Sequence, residues 1–184
     1  MKKFSLIVLA LCLVFTAAGC AKNGDTEATT EPSGTANAPA SISADEAAKM
    51  STPELVEAAV ASSGATVVLS GKSYRDTALD FAQNTPAVAE LLRRSDNAEA
   101  LLQAYKEAIP PTEEDAVNAE TPEFWRFYTL GMLLAQPEVT ANMDEALCAE
   151  ADAAAQEKDE LLSNSILEVN TYTDALKELA QSGQ

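Results

Sequence analysis

The side chains able to do chemistry in this chain are unevenly supplied: 29 Asp and Glu, 12 Lys and Arg, three Cys and no His. Without imidazole, a Ser-His-Asp triad, a Cys–His pair, an HExxH zinc site and a histidine proton shuttle are excluded. Cys12 and Cys20 lie near the N-terminus, and Cys148 stands alone in an Ala-rich segment. A thiol with no activating base reads as a small buried side chain rather than a nucleophile. Carboxylates carry what remains. Glu113, Glu114 and Asp115 are contiguous, but they lack the Gly turn and alternating Asp/Asn spacing of a calcium loop. Asp152, Glu157, Asp159 and Glu160 face several directions around a predicted helix. Both groups read as solvated acidic surface. A carboxylate-only hydrolase needs two such groups about 5–10 Å apart across a groove. The single Trp, Trp125, sits in an apolar run that belongs to a core rather than to a groove. Tyr74, Arg75, Asp76, Arg93 and Arg94 form the other polar group. Its Arg93–Arg94 pair could hold a carboxylate or phosphate, but positive charge at a helix C-terminus is the simpler reading. No phosphate-cradling Gly-rich loop and no GxSxG elbow occurs. The expectation is therefore no catalytic residue, no cofactor and no metal, with a carboxylate hydrolase as the one enzymatic alternative.

The elements that would position these groups are helices. Residues 43–184 are dominated by Ala, Leu and Glu and are long enough for one domain with its own core. Ser43…Glu46 and Ser51…Glu54 have capping-box spacing, and Pro53 suits a first helical turn. Leu55, Val56, Ala59 and Val60 share a face, and Gly64 ends that helix. Residues 65–70 contain Thr66, Val67 and Val68, which favour strand, but the run is short and lacks a partner, so it reads as a short helix or turn. Ser73 opens a helix with Tyr74, Leu79 (or Ala78) and Phe81 available for burial. Thr85-Pro86 opens another, with Val88, Leu91 and Leu92 apolar and Arg93 and Arg94 in its last turn. Ser95, Asp96 and Asn97 offer caps for a helix whose face is Ala98, Leu101, Leu102, Tyr105, Ala108 and Ile109. Pro110-Pro111 stops it.

Thr121-Pro122 then opens a helix of another kind. Phe124, Trp125, Phe127, Tyr128, Leu130, Met132, Leu133 and Leu134 surround it on nearly all sides, which predicts a central helix over about 122–135. Arg126 must reach the surface or pair with a carboxylate, and Gly131 allows close approach of a neighbour. After Gln136-Pro137, Asn142 can cap a helix from Met143, with Leu147, Ala151, Ala154 and Leu161 on one side. Leu162, Ile166, Val169, Tyr172, Leu176 and Leu179 step by three and four, and Thr171…Asp174 can restart a helix there. Thr-Pro at 52, 85 and 121 recurs at about the period of helical-hairpin repeats, though the rest of the units do not match. The predicted fold class is all-α: a compact bundle of short helices around the central apolar one.

The N-terminus reads as an address. Lys2 and Lys3 precede the uncharged apolar run Phe4–Ala18, of about 15 residues, too short for the roughly 20 of a membrane span. Ala17-Ala18-Gly19-Cys20 follows and resembles the lipobox of bacterial lipoproteins, departing only at Ala17, where Leu is commoner. The resemblance covers residues 1–21. It implies a diacylglyceryl group on the Cys20 thiol, cleavage between Gly19 and Cys20, and a membrane partner reached through that anchor. The expected organisation is a signal peptide at 1–19, a lipidated Cys20 with a disordered linker to residue 42, and a helical domain at 43–184. The linker is rich in Thr, Ala, Ser and Pro and spans roughly 25 Å as a coil.

The net charge of −17 repels nucleic acid and anionic lipid, so no nucleic-acid partner is expected. The stretches Thr52-Pro53-Glu54-Leu55-Val56, Val88-Ala89-Glu90-Leu91-Leu92-Arg93-Arg94-Ser95-Asp96 and Ala100-Leu101-Leu102-Gln103-Ala104-Tyr105 are similar to parts of uncharacterised exported proteins of Gram-positive gut bacteria. That similarity implies a surface lipoprotein and transfers no activity. The expected location is the extracytoplasmic face of the cell membrane, or the outer membrane in a two-membrane host, since Ala21 is not the Asp of an inner-membrane retention signal. The expected role is a binding or interaction module whose partner is an envelope protein, peptide or glycan. The alternatives are a solute-binding lipoprotein and a structural envelope spacer.

Overall fold

The structure, a computed structural model, describes residues 42–63, 72–112, 121–162 and 171–182. All of them belong to one contact unit, Asn37–Gln184. Among the described residues every regular element is a helix, as the composition predicts. In chain order these are α1 (Ala44–Ala47), α2 (Thr52–Ala61), α3 (Tyr74–Asn84), α4 (Pro86–Leu91), α5 (Asn97–Glu107), α6 (Pro122–Leu134), α7 (Pro137–Thr140), α8 (Glu145–Leu162) and α9 (Thr171–Ser182).

The helices begin where local chemistry satisfies their free N–H groups. Ser43 and Glu46 form a reciprocal box, with Ser43 N–H donating to Glu46 Oε2 at 2.8 Å and Glu46 N–H to Ser43 Oγ at 3.3 Å. Glu54 Oε2 accepts from Ser51 N–H at 2.7 Å. Ser73 Oγ accepts from Asp76 N–H, and Thr121 Oγ1 from Phe124 N–H. Proline stands in the first turn of α2, α4, α6 and α7. The three Thr-Pro helices differ in length and in how much they bury.

α6 is the axis of the bundle. Ten of its 13 residues are buried, Phe127, Leu130, Leu133 and Leu134 completely, and Trp125 lies in the core as expected. α2, α3, α5, α7 and α9 all pack on α6, α4 lies against α2 and α3, and α8 docks on α5. Arg126 leaves the core by pairing with Glu57 of α2, both N–O distances being 2.8 Å. Gly131 faces the start of α9, where a β-carbon would stand 2.9 Å from Tyr172 N.

Several positions differ from the sequence expectation, each for a local reason. α2 ends at Ala61 with Ser62 as its cap, before Gly64. Ile109 is 72 % exposed: Ala108 is already extended (φ −67°, ψ 133°), which turns the next residue out of the helical face, and Ile109 itself precedes Pro110, which disfavours a helical conformation there. Leu161 is exposed and Leu162 buried, one step around the same helix. The cap of α8 is Asp144, whose Oδ1 accepts from Leu147 N–H at 2.8 Å, while Asn142 is engaged elsewhere. Residues 65–70, 113–115, Ile166 and Val169 lie outside the described residues.

Among the described residues the buried hydroxyls of Thr129 and Thr171 have no hydrogen-bond partner, and the first is a removable defect on the bundle's axis. Thr129 is fully buried on α6, and its Oγ1 has no hydrogen-bond partner. Valine has the same shape without the hydroxyl and a similar helix propensity. Thr129→Val is expected to raise stability by about 1 kcal/mol in urea unfolding, since an unpaired buried hydroxyl costs about 1–3 kcal/mol; a loss of stability would mean that Oγ1 has a partner in solution.

Candidate functional site

The densest polar constellation gathers around the short α7. The Arg75 guanidinium, from the first turn of α3, donates to Glu138 through two N–H groups, each at 2.6 Å, and to Gln136 Oε1 at 3.0 Å. Gln136 is fully buried, and its Nε2 donates to Met132 O at 2.8 Å. Asn97, also fully buried, donates from Nδ2 to Leu92 O and Glu138 O, and its Oδ1 accepts from Asn142 Nδ2 at 2.9 Å. Asn142 Nδ2 also lies 3.1 Å from Arg94 O and from Glu138 O. The network therefore fastens α3, the α4–α5 corner and the end of α6 to α7. Its amides spend their capacity on backbone carbonyls and on one another, which is what a corner needs to stay folded.

The Tyr74–Arg94 group of the sequence does not converge on a ligand. Tyr74 N–H donates to Glu178 Oε1 of α9 at 2.8 Å, and Asp76 serves the Ser73 cap. Arg94 donates from Nη2 to Ala48 O and Met50 O, each at 3.2 Å. It thus caps the C-terminal end of α1 rather than of its own helix. Arg94 Nε lies 2.9 Å from Glu90 Oε1, a charge contact without hydrogen-bond alignment. Arg93 is 76 % exposed and meets Glu90 only at 3.9 Å.

The pair Arg75–Glu138 sets a pH response. The hydrogen-bonded Arg75 guanidinium holds the Glu138 carboxyl below the usual carboxylate range, and Arg126 does the same to Glu57. A depressed folded value stabilises above the unfolded value of about 4.3, and that contribution is lost as pH falls through the folded value. Wild type should lose stability below about pH 5 more steeply than the variant with both Glu138→Gln and Glu57→Gln, each partly exposed pair accounting for roughly 0.5–1 kcal/mol. Urea unfolding at pH 6, 5, 4 and 3 checks this, and parallel curves would remove the two pairs from the acid response.

Buried phenols are shifted as well. Burial pushes Tyr128 and Tyr172 up to about 12, with the carboxylate of Asp174 near the first and that of Asp152 near the second. Tyr74 is raised by the same cause. These phenols stay protonated at neutral pH and cannot act as bases there.

The remaining candidates are placed as follows. Cys148 is exposed, not buried as expected, because it sits in the first turn of α8, one turn before the buried seam begins at Ala151. Asp152, Glu157, Asp159 and Glu160 are all exposed on α8, which matches the solvated acidic face. Gly19, Cys20, Glu113, Glu114 and Asp115 lie outside the described residues. Among the described residues no group of three His, Cys, Asp or Glu is placed to hold a metal ion, and no helix is long and apolar enough to cross a membrane. Sequence reasoning missed Gln136, Glu138, Asn97 and Asn142 as a set, although the position of Gln136 between the apolar helix and Pro137 marked a buried polar residue. No protein-family model matches the chain, and no curated protein or solved structure matches it either.

Proposed function

We propose that the chain is an exported lipoprotein, cut before Cys20 and anchored by a diacylglyceryl thioether, whose helical domain acts outside the cytoplasmic membrane as a binding or interaction module. The observation that carries this reading is Ala17-Ala18-Gly19-Cys20 directly after Lys2, Lys3 and the apolar run to Ala18. Each part answers a physical need: positive charge holds the start of the leader inside, the apolar run enters the bilayer, and small residues fit the peptidase. Two lipid chains on one glycerol give stable anchoring where a single acyl chain is marginal. The Thr/Ser/Pro-rich stretch before the domain supports a tether. The acidic composition favours cationic partners over nucleic acid.

The test is expression of the full chain and of Cys20→Ser in a bacterial host that processes lipoproteins. The wild-type protein should extract with detergent at the mass of a chain beginning at lipidated Cys20, and Cys20→Ser should lower its membrane-bound fraction by at least about tenfold. An unmodified Cys20 thiol, or a mature N-terminus elsewhere, overturns the anchor. Cross-linking on intact cells then tests the module: a captured envelope protein, peptide or glycan that is lost with Cys20→Ser supports it, and capture unaffected by Cys20→Ser refutes a role tied to the membrane.

A further inference from the structure

α8 differs from the other long helices in what holds it. Over 18 residues it buries Ala151, Ala154, Ala155, Lys158 and Leu162, so Leu162 is its one large apolar side chain that is fully enclosed. α6 buries four aromatic rings and four long aliphatic chains over 13 residues. Apolar stabilisation scales with the area removed from water, and a methyl group brings little. The seam of α8 against α5 is therefore thin.

Polar contacts to α5 supplement it. Lys158 is 94 % buried in a row of alanines, and its Nζ donates to Lys106 O at 2.9 Å, at the C-terminal end of α5 where carbonyls lack helical partners. Lys106 forms an ion pair with Glu150. Against these stands the helix's own charge. Glu145, Glu150, Asp152, Glu157, Asp159 and Glu160 are exposed, and Lys158 is the only base within α8. Asp159 and Glu160 lie in the last turn, where negative charge opposes the helix dipole. The sequence EALCAEADAAAQEKDELL nevertheless has high intrinsic helix propensity through its Ala, Leu, Glu, Gln and Lys. A helix that keeps its form easily but is weakly seated is the composition expected of a unit that opens before the whole.

We infer that α8 is a separately opening strap: it lifts from α5 while the bundle around α6 stays folded. Lifting uncovers Lys158 and the last carbonyls of α5, and it removes the residues beside Tyr172, which lies near Asp152 and Cys148 of α8. The inference concerns the motion of the bundle alone and is independent of the lipid anchor and of any partner.

Hydrogen exchange followed by mass spectrometry on the full chain, with urea below its unfolding transition, decides it. Amides of α8 should exchange at least about 100-fold faster than those of α6, with little dependence on urea, as local openings do. Equal rates and equal urea dependence for α8 and α6 would overturn the inference, and this comparison needs no variant. Lys158→Ala, which removes both the buried stem and the ammonium, should speed α8 by about a further tenfold and leave α6 unchanged. If α6 accelerates equally, Lys158 belongs to the global core and the strap is refuted.

Discussion

Gly131→Ala is expected to destabilise the bundle by about 1–3 kcal/mol, the range for forcing atoms into a filled core. The same change at an exposed helical position would stabilise by about 1 kcal/mol through helix propensity alone, so the sign reports the packing. A β-carbon at 131 would stand 2.9 Å from Tyr172 N, 3.3 Å from Thr171 Cβ and 3.5 Å from Thr171 C. Two of these are backbone atoms at the start of α9, which cannot swing aside as a side-chain tip can. Relief requires the whole helix to move off α6, loosening Tyr172, Ala175 and Leu179, all of them buried. Gly131→Leu should go further and detach α9. Urea unfolding measures both. A Gly131→Ala protein as stable as wild type would mean that α9 does not approach α6 so closely.

Phe127→Ala should cost about 3–5 kcal/mol, the usual loss for a fully buried ring. Against a total of about 5–15 kcal/mol, that leaves a marginal protein, with a melting temperature lower by roughly 10 °C or more. Phe127 is fully buried, stacked on Tyr105 at a centroid distance of 5.7 Å and edge-on to Tyr128 at 6.1 Å. Tyr105 also meets Tyr172, tilted at 46° with centroids 5.8 Å apart, so the Tyr105 ring couples α5 to both α6 and α9. A double-mutant cycle of Phe127→Leu with Tyr105→Leu should show a coupling of about 0.5–1.5 kcal/mol. Leu79→Ala on the exposed side of α3 is the control and should change stability by less than about 0.5 kcal/mol. A loss at Phe127 no larger than at Leu79 would remove α6 from the centre of the core.

The fold was legible because its signals are local. Ser43, Ser51, Ser73 and Thr121 each precede a helix that starts where expected, since a cap is decided by residues three apart. The apolar run from Phe124 to Leu134 marks a central helix because a helix wet on any side would carry a polar face there. Arg126 announced that it must reach the surface or a carboxylate, but not that Glu57, 69 residues earlier, would meet it.

The polar corner at α7 was not legible, for a related reason. Arg75 and Glu138 are 63 residues apart, and Asn97 and Asn142 are 45 apart. Nothing in the neighbourhood of either partner specifies the other. Arg94 shows the limit most clearly: the expected chemistry, a cation on helix carbonyls, is present, but the carbonyls are those of Ala48 and Met50. Cys148 and Leu161 show the same limit for burial. Cys148 lies a turn before the part of α8 that is covered, and at Leu161 and Leu162 two adjacent leucines compete for one face; which of them is buried depends on how α8 is rotated against its neighbours.

By itself, the sequence determined the helical class, the starts of most of the helices and the apolar axis, because each rests on interactions within about one turn of chain. Only the tertiary structure decided which carboxylate answers each arginine, why position 131 must be glycine and how thinly α8 is seated. Those depend on distances between segments far apart in the chain, which come into being only when the helices pack.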